Sequence, residues 1–519
     1  MRLLSLVTLL PLLAAGQLVP DELVNKIDDI RKTWGIPGVG VSVVSGNETQ
    51  LIALGNATAT EPVTENSLFV LGSCTKAMTN YAVARLIANG AKDCNGAPLT
   101  WNTRIADILP KQDWKLQDKY AEQNIQLLDL SAMKSGLVSN DAAIEDVPAR
   151  ETVRNMRNFK MKTFRAGYQY ANLGYIVLQD VIETLSGKPF QDYMADMFND
   201  WGLSGATFNF TQALEQGVVT GHYHTRDANK CTDSTWPNVN PSCVGQVNEL
   251  RQWITTDGFG NAAEGGAVMP LNQVQHFQRH VLQQPLDRPL IPTGGRDPFS
   301  SETIYGLGLQ SYLYKGVRIL GHSGAMPGHA AQIYHSPERQ VSVAVMVNDS
   351  EWSSQLLAIM YSVFEQVLGL DKADWGRMVF DRTAQTQLPP RVNGHGPAVM
   401  GKFCNKGYPV LEFKTPDAGI VESLPTFVSN VSASQAQLPK SIMSHSVILT
   451  AVDPPYYNWT LALSRYQPPL VGPRSTTGTA VVTDKGIGMF GYFATADVDM
   501  AEPTVQDVER KSEVWFKRC

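Results

Sequence analysis

Ser73 and Lys76 stand three positions apart in GSCTKAMT, residues 72–79. A serine hydroxyl is a poor nucleophile at neutral pH and needs a neighbouring base. On a helix, a lysine three residues on lies on the same face one turn along, within reach of the hydroxyl. To be half neutral at pH 7, its amine would have to fall by about 3 pKa units, roughly 4 kcal/mol of differential interaction, which burial and a second cation could supply. The pairing is chemically meaningful but not specific. Ser131 and Lys134 repeat it in LLDLSAMKSGL, where the lysine runs straight into Ser-Gly, a turn signal.

The elements around Ser73 follow from periodicity. SLFVLGSCTKAMTNYAVARLIANG has one stripe at Ala77, Tyr81, Ala84 and Ala88 and a second at Met78, Ala82 and Leu86, before Gly90. That spacing predicts a helix stopped by a glycine, with Ser73 in its first turn, where unsatisfied N–H groups and the helix dipole favour developing negative charge. Upstream, ELVNKIDDIRKTWG reads as a helix, and GVGVSVVSG and TQLIALGNAT as strands turning at Gly46 and Asn47. A helix, an antiparallel hairpin and a second helix predict an α+β layer fold. Two more polar sets lie downstream. Tyr170-Ala171-Asn172 precedes an amphipathic helical pattern, and His322-Ser323-Gly324 ends a strand before a hairpin turning at 336–339.

Ser-x-x-Lys, then Tyr-x-Asn, then a basic residue-x-Gly, in that order, resembles the serine β-lactamase and penicillin-binding protein superfamily. LLDLSAMKSGL, AEGGAVMP and YGLGL are similar to further family segments, so the likeness spans most of residues 20–380. It is greatest to class C β-lactamase-like hydrolases and esterases, and to secreted fungal β-lactamase-like proteins with an added β-rich C-terminal domain. The resemblance implies a β-lactamase/transpeptidase-like fold, an antiparallel sheet flanked by helices with a helical subdomain. It implies that Ser73 is acylated, that Lys76 and Tyr170 share proton transfer, and that Asn172 orients Lys76 and the substrate. The oxyanion hole would be the backbone N–H groups of Ser73 and Ala325, beside Gly324 on the strand edge. Water then deacylates the serine, with no metal and no cofactor. Either Lys76 is the neutral base, or it stays charged and lowers the pKa of Tyr170; the same proximity cannot favour both.

One departure bears on substrate. The family's lactamases and transpeptidases carry a lysine where this chain has His322, and an imidazole is mostly neutral at pH 7, so a fixed charge for a substrate carboxylate is missing. Esters or other acyl compounds are therefore expected ahead of β-lactams, with an acyltransferase, a peptidase or a non-catalytic glycoprotein of the same fold as alternatives. The competing account of His322 is a strand-end histidine bonded locally. GHSGA, residues 321–325, lacks the last glycine of a Gly-x-Ser-x-Gly elbow. His222 and His224 have metal-ligand spacing without a third ligand nearby. Trp236, Trp253 and Tyr305 could line a cleft, although packing explains each. A second Tyr-x-Asn, at Tyr456 to Asn458, opens a glycosylation triplet and reads as surface.

The wider composition agrees with a secreted enzyme. The chain has 519 residues, 43% hydrophobic and 18% charged, with net charge −6, which supports a large core and offers no basic stripe for nucleic acid. Residues 1–16 combine Arg2, an apolar run and small residues, the pattern of a secretory signal, and no later stretch predicts a membrane anchor. N-x-Ser/Thr triplets at Asn47, Asn56, Asn209, Asn348, Asn430 and Asn458 predict glycosylation. Of six cysteines, Cys231 with Cys243 and Cys404 with Cys519 are the expected disulfides, and Cys74 is expected to be a small buried residue. The expected organisation is a signal at 1–16, a hydrolase domain at 17–384, a Pro/Gly-rich linker at 385–395 and a β-rich domain at 396–519. The expected partner is a small-molecule acyl substrate, and the sequence carries no signal for oligomeric state.

Overall fold

A computed structural model describes residues 17–519 apart from 226–230, 232–233, 251–261, 281, 283–290, 296–298, 351–352, 386–393, 395, 418–419, 421–431, 439–440, 442–445, 463–476 and 493–501. The expected signal segment, most of the expected linker, Trp253 and Asn430 lie outside the described residues.

The strand Gly38–Ser45 is small or apolar at nearly every position, as a strand covered on both faces requires, and it is buried through Val44. It meets Glu48–Gly55 across the expected Gly46–Asn47 turn, with Ser45 opposite Glu48. Gly46 has φ +55° there, the left-handed backbone that a two-residue hairpin demands. On its other side the sheet continues through Val341–Val347, His329–Ser336, Val317–Met326, Leu309–Tyr314, Glu302–Gly306 and Ile291–Gly295, making eight strands. Every pairing among them is antiparallel. Val39, Val41 and Val43 pack with Trp34, Leu356, Phe364 and Trp375 under the helices Asp21–Thr33, Ser353–Leu368 and Trp375–Gln385. Their neighbours face the opposite way: Gly40 meets Phe69 and Leu271, and Ser42 hydrogen-bonds the Gln278 amide at 2.7 Å.

That second face carries the helical part of the fold. The helix Thr75–Ala88 is buried from Thr75 through Val83, and Asn172–Ser186 from Asn172 through Ile182. Neither is amphipathic in the expected sense; each is enclosed on almost all sides, because the two pack on one another inside one core. The expected glycine stop holds, Gly90 having φ +73°, and Gly187, φ +67°, ends the second helix in the same way.

The C-terminal residues form a second eight-stranded antiparallel sheet, Gly401–Asn405 to Val514–Arg518, with Trp459, Phe403, Phe413 and Phe516 in its interior. Its two end strands are joined by mutual backbone hydrogen bonds between Lys414 and Gln435, 3.0 and 2.9 Å. The sheet therefore curls back on itself, which removes its open edges. It seats on the helical part through the hairpin tip at 405–408. Asn155 Nδ2 donates to Gly407 O at 2.8 Å, and Asn140 Nδ2 donates to the Tyr408 hydroxyl at 2.7 Å. A Cβ on Gly407 would lie 2.9 Å from Asn158 Cβ, so only glycine fits this approach.

Cys231–Cys243 and Cys404–Cys519 are both disulfide-bonded, as expected, while Cys74 is free and buried. One expectation is corrected. Asn348 is fully buried and its amide donates to Asn56 O and Ala57 O, so the folded chain has no room for a glycan there. Asn47 and Asn56 are exposed, and Asn209 and Asn458 half-buried.

The Cys404–Cys519 bridge closes a loop of sequence separation 115. Loop-closure entropy at that length is about 4–5 kcal/mol. Calorimetry of Cys519→Ser should show the unfolding of the C-terminal sheet moved to lower temperature; an unchanged transition would contradict this.

Candidate active site

Ser73 sits in a short 3₁₀ turn, Gly72–Cys74, that leads into Thr75–Ala88, so it precedes the helix instead of lying in its first turn. Gly72 has φ +51°, and a Cβ on it would lie 2.7 Å from the Ala325 nitrogen. Gly324 is tighter still: its Cβ would come within 1.9 Å of Leu71 O and 3.1 Å of Ser73 N. Two glycines thus let the strand Val317–Met326 press its backbone against the serine turn. The expected oxyanion pair, Ser73 and Ala325, comes from the two segments that meet here.

The side chains converge. Lys76 Nζ donates to Ser73 Oγ at 2.9 Å, and the Tyr170 hydroxyl donates to the same oxygen at 2.8 Å. Lys76 is 0% exposed, its ammonium lying 5.1 Å from the Tyr170 ring centre and 5.3 Å from that of Tyr175. Burial pulls its pKa below the ordinary lysine value, opposed first by the charge of Glu264. Burial moves Tyr170 the other way, well above the ordinary phenol, with the charges of Glu264 and Asp141 adding to the rise. Burial disfavours the phenolate and the ammonium alike, so of the two expected bases the amine is the one whose basic form burial promotes.

Asn172 departs from expectation. Its amide nitrogen donates to Asp141 Oδ1 at 3.1 Å, and its buried oxygen has no partner. Lys76 is held by Glu264 in the place Asn172 was expected to take: Nζ donates to Glu264 O at 2.7 Å and lies 3.4 Å from Oε2. The segment bearing Glu264 is fastened along the serine helix. Thr79 Oγ1 donates to Ala263 O, Thr75 Oγ1 accepts from Ala267 N, and Leu71 N donates to Ala267 O. Glu264 and Asp141 were not singled out in the sequence, although an acid inside AEGGAVMP, immediately before Gly-Gly, was the available signal for the first.

His322 lies at the site, 4% exposed, its ring 6.3 Å from that of Tyr170. Its Nδ1 bonds Ser323 O and its Nε2 the Tyr305 hydroxyl at 3.1 Å, so an uncharged ring satisfies both nitrogens. Tyr305 is fully buried beside it as core, and Trp236 packs on Phe380. The other candidates stay apart. Ser131 Oγ has no partner and Lys134 turns to Asp129 at 3.6 Å. His222 Nδ1 bonds Asn348 O, His224 bonds Val244 O and Asp349, and no metal-ligating group of three exists among the described residues.

Comparison with known proteins settles the family. Residues 23–362 match the family described as Beta-lactamase. The chain belongs to the β-lactamase family. It is a hydrolase of the serine β-lactamase family, 25% identical over 403 residues to an unguisins hydrolase of Aspergillus campestris, covering 72% of this chain and 70% of that one. It is also 23% identical over 268 residues to a D-aminopeptidase of Brucella ovis, covering 49% and 46%. The octameric penicillin-binding protein homologue of Pyrococcus abyssi shares the fold at TM-score 0.56 and 17% identity, over 90% of this chain and 97% of that one.

The strand-to-turn contact gives a direct test. Gly324→Ala, whose Cβ must push the Leu71 carbonyl aside, should lower the melting temperature and cut kcat/KM about 100-fold or more, since an oxyanion site is worth about 3–4 kcal/mol. Wild-type kcat/KM in a folded variant would refute the role given to this contact.

Proposed function

We propose that this chain is a secreted hydrolase that cleaves amide bonds of peptide-like acyl compounds through an acyl-enzyme on Ser73. The observation that carries this is the meeting of Lys76 Nζ and the Tyr170 hydroxyl on Ser73 Oγ, at 2.9 and 2.8 Å. Ser73 attacks the substrate carbonyl and its proton passes to Lys76. The oxyanion is held by the Ser73 and Ala325 backbone N–H groups, which Gly324 brings together. Tyr170, kept as a phenol by burial, supplies a proton to the departing amine nitrogen. Water then attacks the acyl-enzyme by the same route.

Two observations support an amide over an ester, and a third, on His322, weighs against a β-lactam. The buried Asn172 oxygen beside the site has no partner, at a cost of about 1–3 kcal/mol that a substrate N–H reaching it would recover. His322, an imidazole where the family's lactamases carry a lysine, is not a fixed cation for a lactam carboxylate. The D-aminopeptidase relative acts on peptides by its name. Secretion and glycosylation belong to the same proposal: residues 1–16 direct export, two disulfides suit an oxidising compartment, and Asn47 and Asn56 are exposed acceptors. No helix among the described residues is long and apolar enough to cross a membrane. Residues 17–384 would carry the chemistry, joined through 385–395 to the β-rich 396–519.

A panel of amino-acyl p-nitroanilides and matched p-nitrophenyl esters tests the reading. Ser73→Ala should lose about 10⁴-fold or more in kcat/KM, Ser131→Ala and Ser323→Ala should each keep most of it, and at least one anilide should turn over. Hydrolysis by Ser73→Ala at the wild-type rate would refute the mechanism, and turnover of esters alone would refute the amide preference.

A further inference from the structure

Lys76 Nζ has three acceptors: Ser73 Oγ at 2.9 Å, Glu264 O at 2.7 Å and Glu264 Oε2 at 3.4 Å. An ammonium has three N–H donors, so this arrangement satisfies the protonated amine completely and leaves no lone pair for the Ser73 proton. To act as a base, Lys76 must first shed a proton. Its side chain is 0% exposed, so bulk water does not collect that proton directly, and the carboxylate of Glu264, 3% exposed, already touches it.

We propose that Glu264 is the proton-holding partner of Lys76, so that Ser73, Lys76 and Glu264 form a relay: the proton Lys76 takes from Ser73 is matched by one it passes to Glu264. This rests on the reading of Ser73 as the nucleophile. The step balances. As the Ser73 Oγ–carbon bond forms, the Oγ–H bond breaks and its proton joins Nζ; an Nζ–H bond breaks and that proton joins Oε2; the carbonyl electron pair becomes the oxyanion. The ion pair becomes an ammonium beside a carboxylic acid, and total charge is unchanged. When the amine leaves with the Tyr170 proton, Lys76 gives a proton back to Tyr170 and Glu264 returns its own to Lys76, so the three groups regain their starting protons.

Among the described residues, four other titratable groups face this pair: Asp141, Tyr170, Tyr175 and Cys74. Asp141 Oδ1 is bonded by Asn172. Burial keeps the two tyrosines as phenols and pushes the Cys74 thiol up to about 12, so none of these three is an acceptor at neutral pH. Burial also raises the Glu264 carboxyl and lowers the Lys76 amine, which brings their proton affinities closer together. Glu264 does not reach the substrate and acts through Lys76, as a positioning residue.

The test is the rate at which a fluorophosphonate labels Ser73, followed against pH; fluoride leaves without needing a proton, so the rate reports activation of the serine. In wild type the acid limb should follow protonation of Glu264. In Glu264→Gln, Lys76 has to lose its proton to solvent before reacting, so the limb should move to higher pH by about one unit or more and the neutral rate fall roughly tenfold. Glu264→Asp should keep the wild-type limb at a lower rate. A limb that stays put overturns the relay, and so does one that moves to lower pH, the result if Glu264 served only as a counter-charge raising the lysine pKa. If the glutamine variant does not fold, a proton inventory of wild-type labelling in H2O/D2O mixtures decides: a curved plot supports two protons in flight, a straight one overturns the relay. Absence of label on wild-type Ser73 would instead refute the nucleophile itself.

Discussion

A primary amine sealed from water is the constraint that organises this molecule. An unpaired ammonium in an apolar interior costs several kcal/mol, and removing one partner of a buried pair costs about 3–5 kcal/mol, so Lys76 survives at 0% exposure only with acceptors on every donor. Those acceptors come from two places in the chain, the serine turn and the segment Ala262–Gly265. Stitching that segment to the helix Thr75–Ala88 is therefore a condition of the site. The short contacts made by Thr75, Thr79 and Leu71 are how the sequence meets it.

The remaining architecture brings backbone to the serine. The strand Val317–Met326 lies within the eight-stranded sheet and can approach the serine turn only where Gly72 and Gly324 replace side chains with space. The helix Asn172–Ser186 supplies the third wall, placing Tyr170 and Asn172 at its entrance. From the far side the C-terminal sheet reaches Asn140, the neighbour of Asp141, through Tyr408, whose ring also packs 5.4 Å from Phe159. The contact links that sheet to the loop whose carboxylate holds Asn172.

What the sequence disclosed and what it concealed divide along physical lines. Ser73, Lys76, Tyr170 and His322 were legible because their order along the chain is a pattern, and the first hairpin was legible because Gly46–Asn47 is a turn by chemistry. Both disulfides were also foreseen. Glu264 and Asp141 were not, since an acid on a single helical turn carries no mark of burial until the fold places it beside an amine. The same blindness explains Asn348, a glycosylation triplet that the sheet buries, and Asn172, whose amide was assigned to Lys76 without knowing that Asp141 would compete for it. The helices' all-round burial escaped the stripes of apolar residues because threonine, asparagine and lysine positions are buried too. Closure of the C-terminal sheet rests on Lys414 and Gln435, polar residues paired by backbone alone.

Intact-protein mass spectrometry during turnover of a slow activated amide or ester, with peptide mapping of the quenched complex, tests the central claim most directly. One acyl group per chain, on the peptide containing Ser73, is the result this account predicts. An adduct on another residue, or hydrolysis with no covalent species at any time from milliseconds onward, would contradict it.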